Sequence, residues 1–374
     1  MRRSWAVLAV LALVTVTMYT AVRAHRDLTD FEAYRTAAIR AAHAEPLYRP
    51  TDGHYQFKYL PAFAVVTRPI TWLPAETAKL IWFALSFGML AWFVRTLVVK
   101  LPDRRLTALA LGSWTVVVMG KFFIRELALG QTNALLALLL VPSIVALARS
   151  PRRAAFGAGA AVFVKPYALL LLPWLAWREP RRAVAVVAAA ALLGLLLPVV
   201  VYGWSGNLHL LGDWLRTVED TTSPNLLHPD NVSLASLWAK WLGIGPMASA
   251  LAIATAGMAV AAVGWVCAAR PGQPGAAYLE GGLLLLLIPL LSPQGWDYVL
   301  LLGTPVVVAV IDRWRALSTP TRLVAAGVGI VFATPLRLFV SVDTYNAVMA
   351  SGIVSVAALA LVALAVGLRA RSLA

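Results

Sequence analysis

Apolar runs of about 18 to 25 residues, joined by short polar connections, recur along nearly all of this 374-residue chain. They limit its fold more than any motif does. A helix of that length satisfies its own backbone hydrogen bonds across a hydrocarbon layer ~30 Å thick, which an open sheet cannot do. Composition agrees, with 60% of residues hydrophobic and 13% charged, against roughly 25% charged in soluble domains. The expected fold is all-α, a polytopic membrane helix bundle that fills 1–374 as a single domain. The lone cysteine, Cys267, lies in an apolar run, which leaves no disulfide framework and no cysteine metal site. The first run, 5–22, follows Arg2 and Arg3 and precedes Val22-Arg23-Ala24, a poor cleavage site, so it reads as an uncleaved helix.

The net charge of +15 is not gathered into a patch that would suit nucleic acid. The cations fall in separate clusters: Arg2 and Arg3; Lys100, Arg104 and Arg105; Arg149, Arg152 and Arg153; Arg178, Arg181 and Arg182; then Arg270, Arg313, Arg315, Arg322, Arg369 and Arg371. The positive-inside rule places these connections and both termini on the cytoplasmic face of the plasma membrane. The intervening connections hold most carboxylates, among them Asp27, Asp30, Glu126, Asp213, Asp230, Asp297 and Asp343, and are read as external. About ten spans result, at 5–22, 77–98, 106–122, 131–148, 183–203, 246–269, 277–291, 298–312, 322–337 and 346–368.

Residues 154–177 lie between two cytoplasmic Arg clusters, so one crossing would put a cluster on the wrong side. Lys165-Pro166 divides this stretch into halves of about 11 residues, each about 16 Å as helix. A re-entrant helical hairpin with Lys165 at its tip fits both facts; the alternative is a kinked crossing whose Lys165 snorkels. Broken helices at that depth are tolerated beside a protein-lined cavity, and an ionisable group there is a functional candidate.

The long polar insert near the start, 27–73, is the expected site of chemistry. It carries Asp27 and Asp30, an amphipathic helical stretch, Pro46-Leu47-Tyr48 and Phe57-Lys58-Tyr59-Leu60-Pro61. In glycosyl transfer from a lipid-phosphate sugar the phosphate leaves as an anion and needs no proton. One general base therefore suffices for inversion, while Lys or Arg must neutralise the phosphate. Asp30 is the candidate base, with helix N-capping before Phe31 as its plainer explanation. Asp27 is a partner of Asp30 and alternative base, or a solvated carboxylate. Candidate phosphate cations are Lys165, Arg125, Lys58 and Arg337, and Lys165 alone has an argument beyond its side of the membrane.

At these residues the chain resembles the glycosyltransferase family 87 membrane proteins of the GT-C superfamily. The resemblance rests on D-x-x-D-F-x-x-Y at Asp27–Tyr34, Pro46-Leu47-Tyr48 and Phe57-Lys58-Tyr59-Leu60-Pro61-Ala62-Phe63. It continues through Gly130-Gln131-Thr132-Asn133, Lys165-Pro166-Tyr167, Asn231-Val232-Ser233-Leu234 and Ser292-Pro293-Gln294-Gly295-Trp296-Asp297. No single element is specific; their order and spacing carry the likeness over most of the chain. It implies a polyprenyl-phosphate sugar donor, typically mannose, with arabinofuranose as the alternative. It further implies a lipid-linked glycan acceptor, catalysis on the outer face, and Asp30 as base by its D-F-x-x-Y setting. Two departures stand out: Asp297-Tyr298 occupies a place where mannosyltransferase members often carry histidine, and Ala168 one where a further proline is common.

Sugar or acceptor contacts are expected from Tyr34, Tyr59, Gln131, Asn133, Trp296 and Asp297, although Gln131 and Asn133 could equally tie helices together. The other tryptophans read as interfacial belts. His25, His43 and His54 lack metal-ligand spacing, and neither metal nor cofactor is expected. The stretch 231–241 is too short to span and reads as lying along the external interface. A transporter or flippase shares the broken helix and buried lysine, but not the long acidic and aromatic loop; a non-catalytic scaffold would survive only if the carboxylates were dispensable.

Overall fold

The computed structural model describes residues 28–145, 151–269, 275–334 and 339–371. Among these the chain is all-α, with sixteen helices, short 3-10 segments and one isolated antiparallel bridge, Asn231 with Trp296. In chain order the helices are α1 (Thr29–Ala42), α2 (Pro61–Val66), α3 (Ala75–Lys100), α4 (Ala108–Leu129), α5 (Asn133–Val145), α6 (Pro151–Val164), α7 (Leu172–Arg178) and α8 (Pro180–Ala190). They continue as α9 (Val199–Asn225), α10 (Leu234–Leu242), α11 (Pro246–Ala268), α12 (Ala276–Leu291), α13 (Thr304–Asp312), α14 (Thr319–Ala333), α15 (Val342–Ala350) and α16 (Ile353–Arg371). Asp27, Arg337 and the expected first span lie outside the described residues.

Among the described residues four helices, α3, α4, α11 and α16, are long and apolar enough to cross a membrane. A fifth candidate is the stretch from α8 into α9, bent by 90°. Among the described residues the helices at the remaining expected spans fall short of that length, and several breaks have visible causes. Pro198 and a π-helical turn over Ala191–Leu196 interrupt the α8–α9 run. The stretch expected at 298–312 divides into a 3-10 segment, Asp297–Gly303, and the nine-residue α13. Gly352, at φ +76°, separates α15 from α16. Helices α12 and α14 have 16 and 15 residues, or about 22–24 Å of rise.

The described chain groups into two compact units, one of residues 28–93 and 125–223, the other of 94–124 and 224–371. In the first, α1 is amphipathic as expected. Phe31, Tyr34, Ala37, Ala38 and Ala41 form its buried stripe, packed on α2 and the 3-10 turn Arg68–Trp72. Helix α6 lies between α5 and α8. It ends where the sequence predicts, because a residue before proline is driven out of the helical region. Lys165 is extended (φ −143°, ψ 117°), and Pro166 opens a 3-10 segment that runs into α7.

In the second unit α12 is buried on nearly every face, as expected of a helix apolar all round, and contacts α11, α13 and α16. Arg369, read from sequence as a cytoplasmic marker, is instead buried against Glu280 at 3.1 Å and donates to the Ala269 carbonyl. Such a pair is tolerated in low dielectric because each charge has its counter-charge.

Candidate active site

The Gly130-Gln131-Thr132-Asn133 turn organises the first unit. Helix α4 continues past its expected end at 122 to Leu129, since no breaker intervenes before Gly130. Gly130 then adopts φ +69°. Its N–H bonds to Leu127 O at 3.2 Å and that of Gln131 to Glu126 O at 3.0 Å, the paired bonds of a Schellman ending. Glycine is required twice over here: its φ is left-handed, and an added Cβ would stand 3.0 Å from the Cβ of Phe31 on α1. Trp82 of α3 pins the turn by donating to Gly130 O at 2.8 Å.

The turn aims two amides into one buried cluster. Gln131 Nε2 donates to Asp30 Oδ2 at 2.6 Å. Its Oε1 accepts from Lys165 Nζ at 3.3 Å, Tyr59 at 3.3 Å and Tyr34 at 3.4 Å. Asn133 Oδ1 accepts from Lys165 Nζ at 2.8 Å and Tyr167 at 2.9 Å, while its Nδ2 donates to Glu126 Oε2 at 2.8 Å. Glu126 Oε1 accepts the Ala134 N–H at 2.7 Å, capping the start of α5. The Lys165 ammonium also lies 5.5 Å from the Tyr59 ring centroid and 5.6 Å from that of Tyr167, within cation–π range. Gln131, Asn133, Glu126 and Lys165 are buried; Asp30 is half-buried.

Asp30 is not a helix cap. Helix α1 begins at Thr29 with Leu28 in the capping position and no side-chain cap bond. Its carboxylate faces Gln131 instead. Burial pushes the Asp30 carboxyl above the usual carboxylate range, opposed by the Gln131 hydrogen bond and by the charges of Lys165, Lys58 and Arg125. Burial also lowers the Lys58 ammonium, with Asp30 opposing. Three of the four expected phosphate cations therefore act electrostatically on the expected base.

The chain from 45 to 63 is fastened around this cluster. Tyr48 donates to Tyr59 O at 2.6 Å, and from α9 Trp214 donates to Lys58 O at 3.1 Å and Tyr202 to Glu45 O at 3.0 Å. Arg40 pairs with Asp52 through both guanidinium nitrogens. Tyr59 stacks on Phe63 with centroids 4.9 Å apart, and Tyr34 meets Tyr59 edge-on with its hydroxyl 2.7 Å from that of Tyr59. The P-L-Y and F-K-Y-L-P-A-F elements thus set the backbone at Lys58 and Tyr59.

Trp296 and Asp297 belong to the second unit, in a separate polar cluster. Asn231 and Trp296 form the antiparallel bridge, Val232 N–H bonds to Gly295 O at 2.6 Å and Asp297 N–H to Asp230 O at 2.9 Å. Gly295 is obligatory, since a Cβ would fall 1.9 Å from Pro289 O. Asn231 Nδ2 donates to Asn225 O and Pro293 O. Lys240, half-buried on α10, donates to the carbonyls of Pro229, Asn231 and Met349 at 2.9, 2.7 and 3.4 Å. Burial lowers its ammonium to about 8, with Asp230 and Asp297 opposing. Tyr345 donates to Asp230 at 2.5 Å, and the His228 ring meets Trp296 edge-on with centroids 4.9 Å apart. Ser233 caps α10 by accepting the Ser236 N–H, which gives the N-V-S-L motif a structural reason.

Sequence reasoning missed Glu126, Tyr167 and Lys240 as members of these clusters. Lys121 and Arg125 already interrupt the apolar run before Glu126, so nothing local marks it, and nothing local marks Lys240.

Residues 57–293, more than half of the chain and drawn from both units, match the family model described as Glycosyltransferase family 87. No curated protein and no solved structure matches the chain.

Proposed function

The chain belongs to glycosyltransferase family 87, and from that premise we propose that it is an inverting enzyme using a polyprenyl-phosphate sugar. The observation that carries this reading is the Gln131 side chain, which binds the Asp30 carboxylate at one end and the Lys165 ammonium at the other. A base and a phosphate-neutralising cation are the two groups such a transfer needs, and one rigid amide holds them together.

In the proposed reaction the acceptor hydroxyl attacks the anomeric carbon while its proton passes to Asp30. Gln131 occupies Oδ2, which leaves Oδ1 to take that proton. The new carbon–oxygen bond forms on the face opposite the phosphate, the anomeric carbon–phosphate oxygen bond breaks, and its electron pair leaves with the phosphate. An ammonium has three N–H donors. Gln131 and Asn133 account for two from Lys165 among the described residues, and the third serves the leaving phosphate, with Lys58 and Arg125 adding charge. Tyr34 and Tyr59 are the proposed sugar or acceptor contacts beside this base. Mannose is the proposed sugar and a lipid-linked envelope glycan the acceptor. We place the reaction on the outer face of the plasma membrane, with both termini cytoplasmic and 154–177 re-entrant.

The test is transfer of radiolabelled mannose from synthetic polyprenyl-phosphate mannose to endogenous lipids, in membranes holding wild type, Asp30→Asn or neither. Wild-type-dependent product that falls on the order of 100- to 10,000-fold in the variant is the expected result. No product from folded wild type moves the donor to polyprenyl-phosphate arabinofuranose, and failure with both donors defeats the proposal.

A further inference from the structure

Glu126 is the most deeply buried carboxylate of the first unit, at 0% exposure, and the reaction proposed above gives it no task. Both its oxygens act as acceptors, from the main-chain N–H groups of Asn133 and Ala134 and from Asn133 Nδ2. A carboxylate cannot donate, so the Asn133 amide has one permitted direction: nitrogen toward Glu126, oxygen toward Lys165 and Tyr167. That oxygen is the nearer of the two amide oxygens holding the Lys165 ammonium, at 2.8 Å against 3.3 Å for Gln131. We infer that Glu126 is a positioning residue whose carboxylate fixes the polarity of the Asn133 amide and thereby seats Lys165 for the donor phosphate. The inference rests on the reading of Lys165 as the phosphate partner.

This amide polarity has a consequence that packing alone would not have. In Glu126→Gln the Ala134 N–H still needs an acceptor, so Gln Oε1 must face it and Gln Nε2 must face Asn133. Asn133 can meet that donor only by turning its oxygen toward it, which presents its own N–H groups to Lys165. Tyr167 can adapt, because a hydroxyl both donates and accepts; an ammonium has no acceptor lone pair and cannot. An almost isosteric change therefore expels Lys165 from its seat. Asn133→Asp alone fails differently, by setting two carboxylates against each other. Combined, the two changes restore the pattern with unchanged net charge, since Gln Nε2 donates to one Asp oxygen and the other accepts from Lys165 and Tyr167.

The experiment measures polyprenyl-phosphate binding and thermal midpoint for detergent-solubilised wild type, E126Q, N133D and E126Q/N133D. Expected are a loss of affinity on the order of 10- to 100-fold in each single variant, a lower midpoint, and recovery of most of both in the double. Wild-type affinity in E126Q overturns the inference. So does a double variant that recovers its midpoint without its affinity, which would leave the Glu126–Asn133 pair a structural contact alone, or one that recovers neither. If wild type itself binds no polyprenyl phosphate, the reading of Lys165 fails, and the midpoints still show separately whether residues 126 and 133 are coupled in polarity.

Discussion

Lys165 and Lys240 each stand among carboxylates and an asparagine, one in each unit, yet their partners are of opposite kinds. Lys165 is held by side-chain oxygens, those of Gln131 and Asn133. Lys240 is held by three main-chain carbonyls, which use all three of its donors. The asparagines follow suit: Asn133 Nδ2 donates to a carboxylate, Asn231 Nδ2 to two carbonyls. A ligand can replace or rearrange side-chain partners by turning a few torsions, whereas carbonyl partners move only with the chain that carries them. On the proposed function the first cluster presents chemistry, while the second fastens residues 225–231, 293–297 and 349 into one shape.

The contrast breaks most sharply through the two acidic and basic centres. Asp30→Asn should abolish transfer by the 100- to 10,000-fold given above while leaving thermal stability unchanged or higher. The sign follows from burial, which raises the folded Asp30 carboxyl above its unfolded value. Above the unfolded value the ionised group then costs the folded state stability, and a neutral amide removes that cost. Lys240→Met should do the reverse: Pro229 O loses its donor, at about 1–3 kcal/mol, and Asn231 O is left with Ser236 Oγ alone, so the melting midpoint drops while surviving protein keeps its turnover. A Lys240→Met protein that is stable but inactive would merge the two clusters into one functional class.

Smaller effects sharpen the comparison. Because a general base works deprotonated, the rate should climb with pH through the Asp30 pKa, which lies above the ordinary carboxylate range. Lys58→Met removes a charge that lowers it, so the acid limb of kcat/KM should move to higher pH; a limb that stays put detaches Lys58 from the base. Tyr59→Phe deletes a hydroxyl within reach of Tyr34, Gln131 and Thr132, worth about 0.5–1.5 kcal/mol. A decrease of about 2- to 10-fold in kcat/KM is expected, readable in the same transfer assay.

Local grammar made much of this legible in the sequence. Pro166 fixes the extended conformation of Lys165, Gly130 marks the end of α4, and the amphipathic spacing of α1 turns Phe31 and Tyr34 inward. Long-range choices were not legible. Glu126 reads as an external carboxylate because Lys121, Arg125 and Glu126 interrupt the apolar run, and only tertiary packing shows that the helix continues through them to Leu129. Four to five of the ten expected spans stand out among the described residues for a related reason: apolar runs at 277–291 and 298–312 look like crossings, but the helices formed there are shorter than a span. Which end of an amide faces which partner depends on residues such as Gln131 and Asp30, 101 positions apart.

The bridge between Asn231 and Trp296 also orders the assembly of its unit in time. Asn231 and Pro293, its bonded neighbour on the far side, are 62 residues apart in sequence, with α10, α11 and α12 between them. Loop-closure entropy must be met before such a contact can repay it. Residues 225–233 hold one another through local bonds and gain their partners at 293–297 only once α12 has folded back. Tyr345 and Met349, which bond Asp230 and Lys240, reach this cluster later still, so the same residues are fastened in two successive stages.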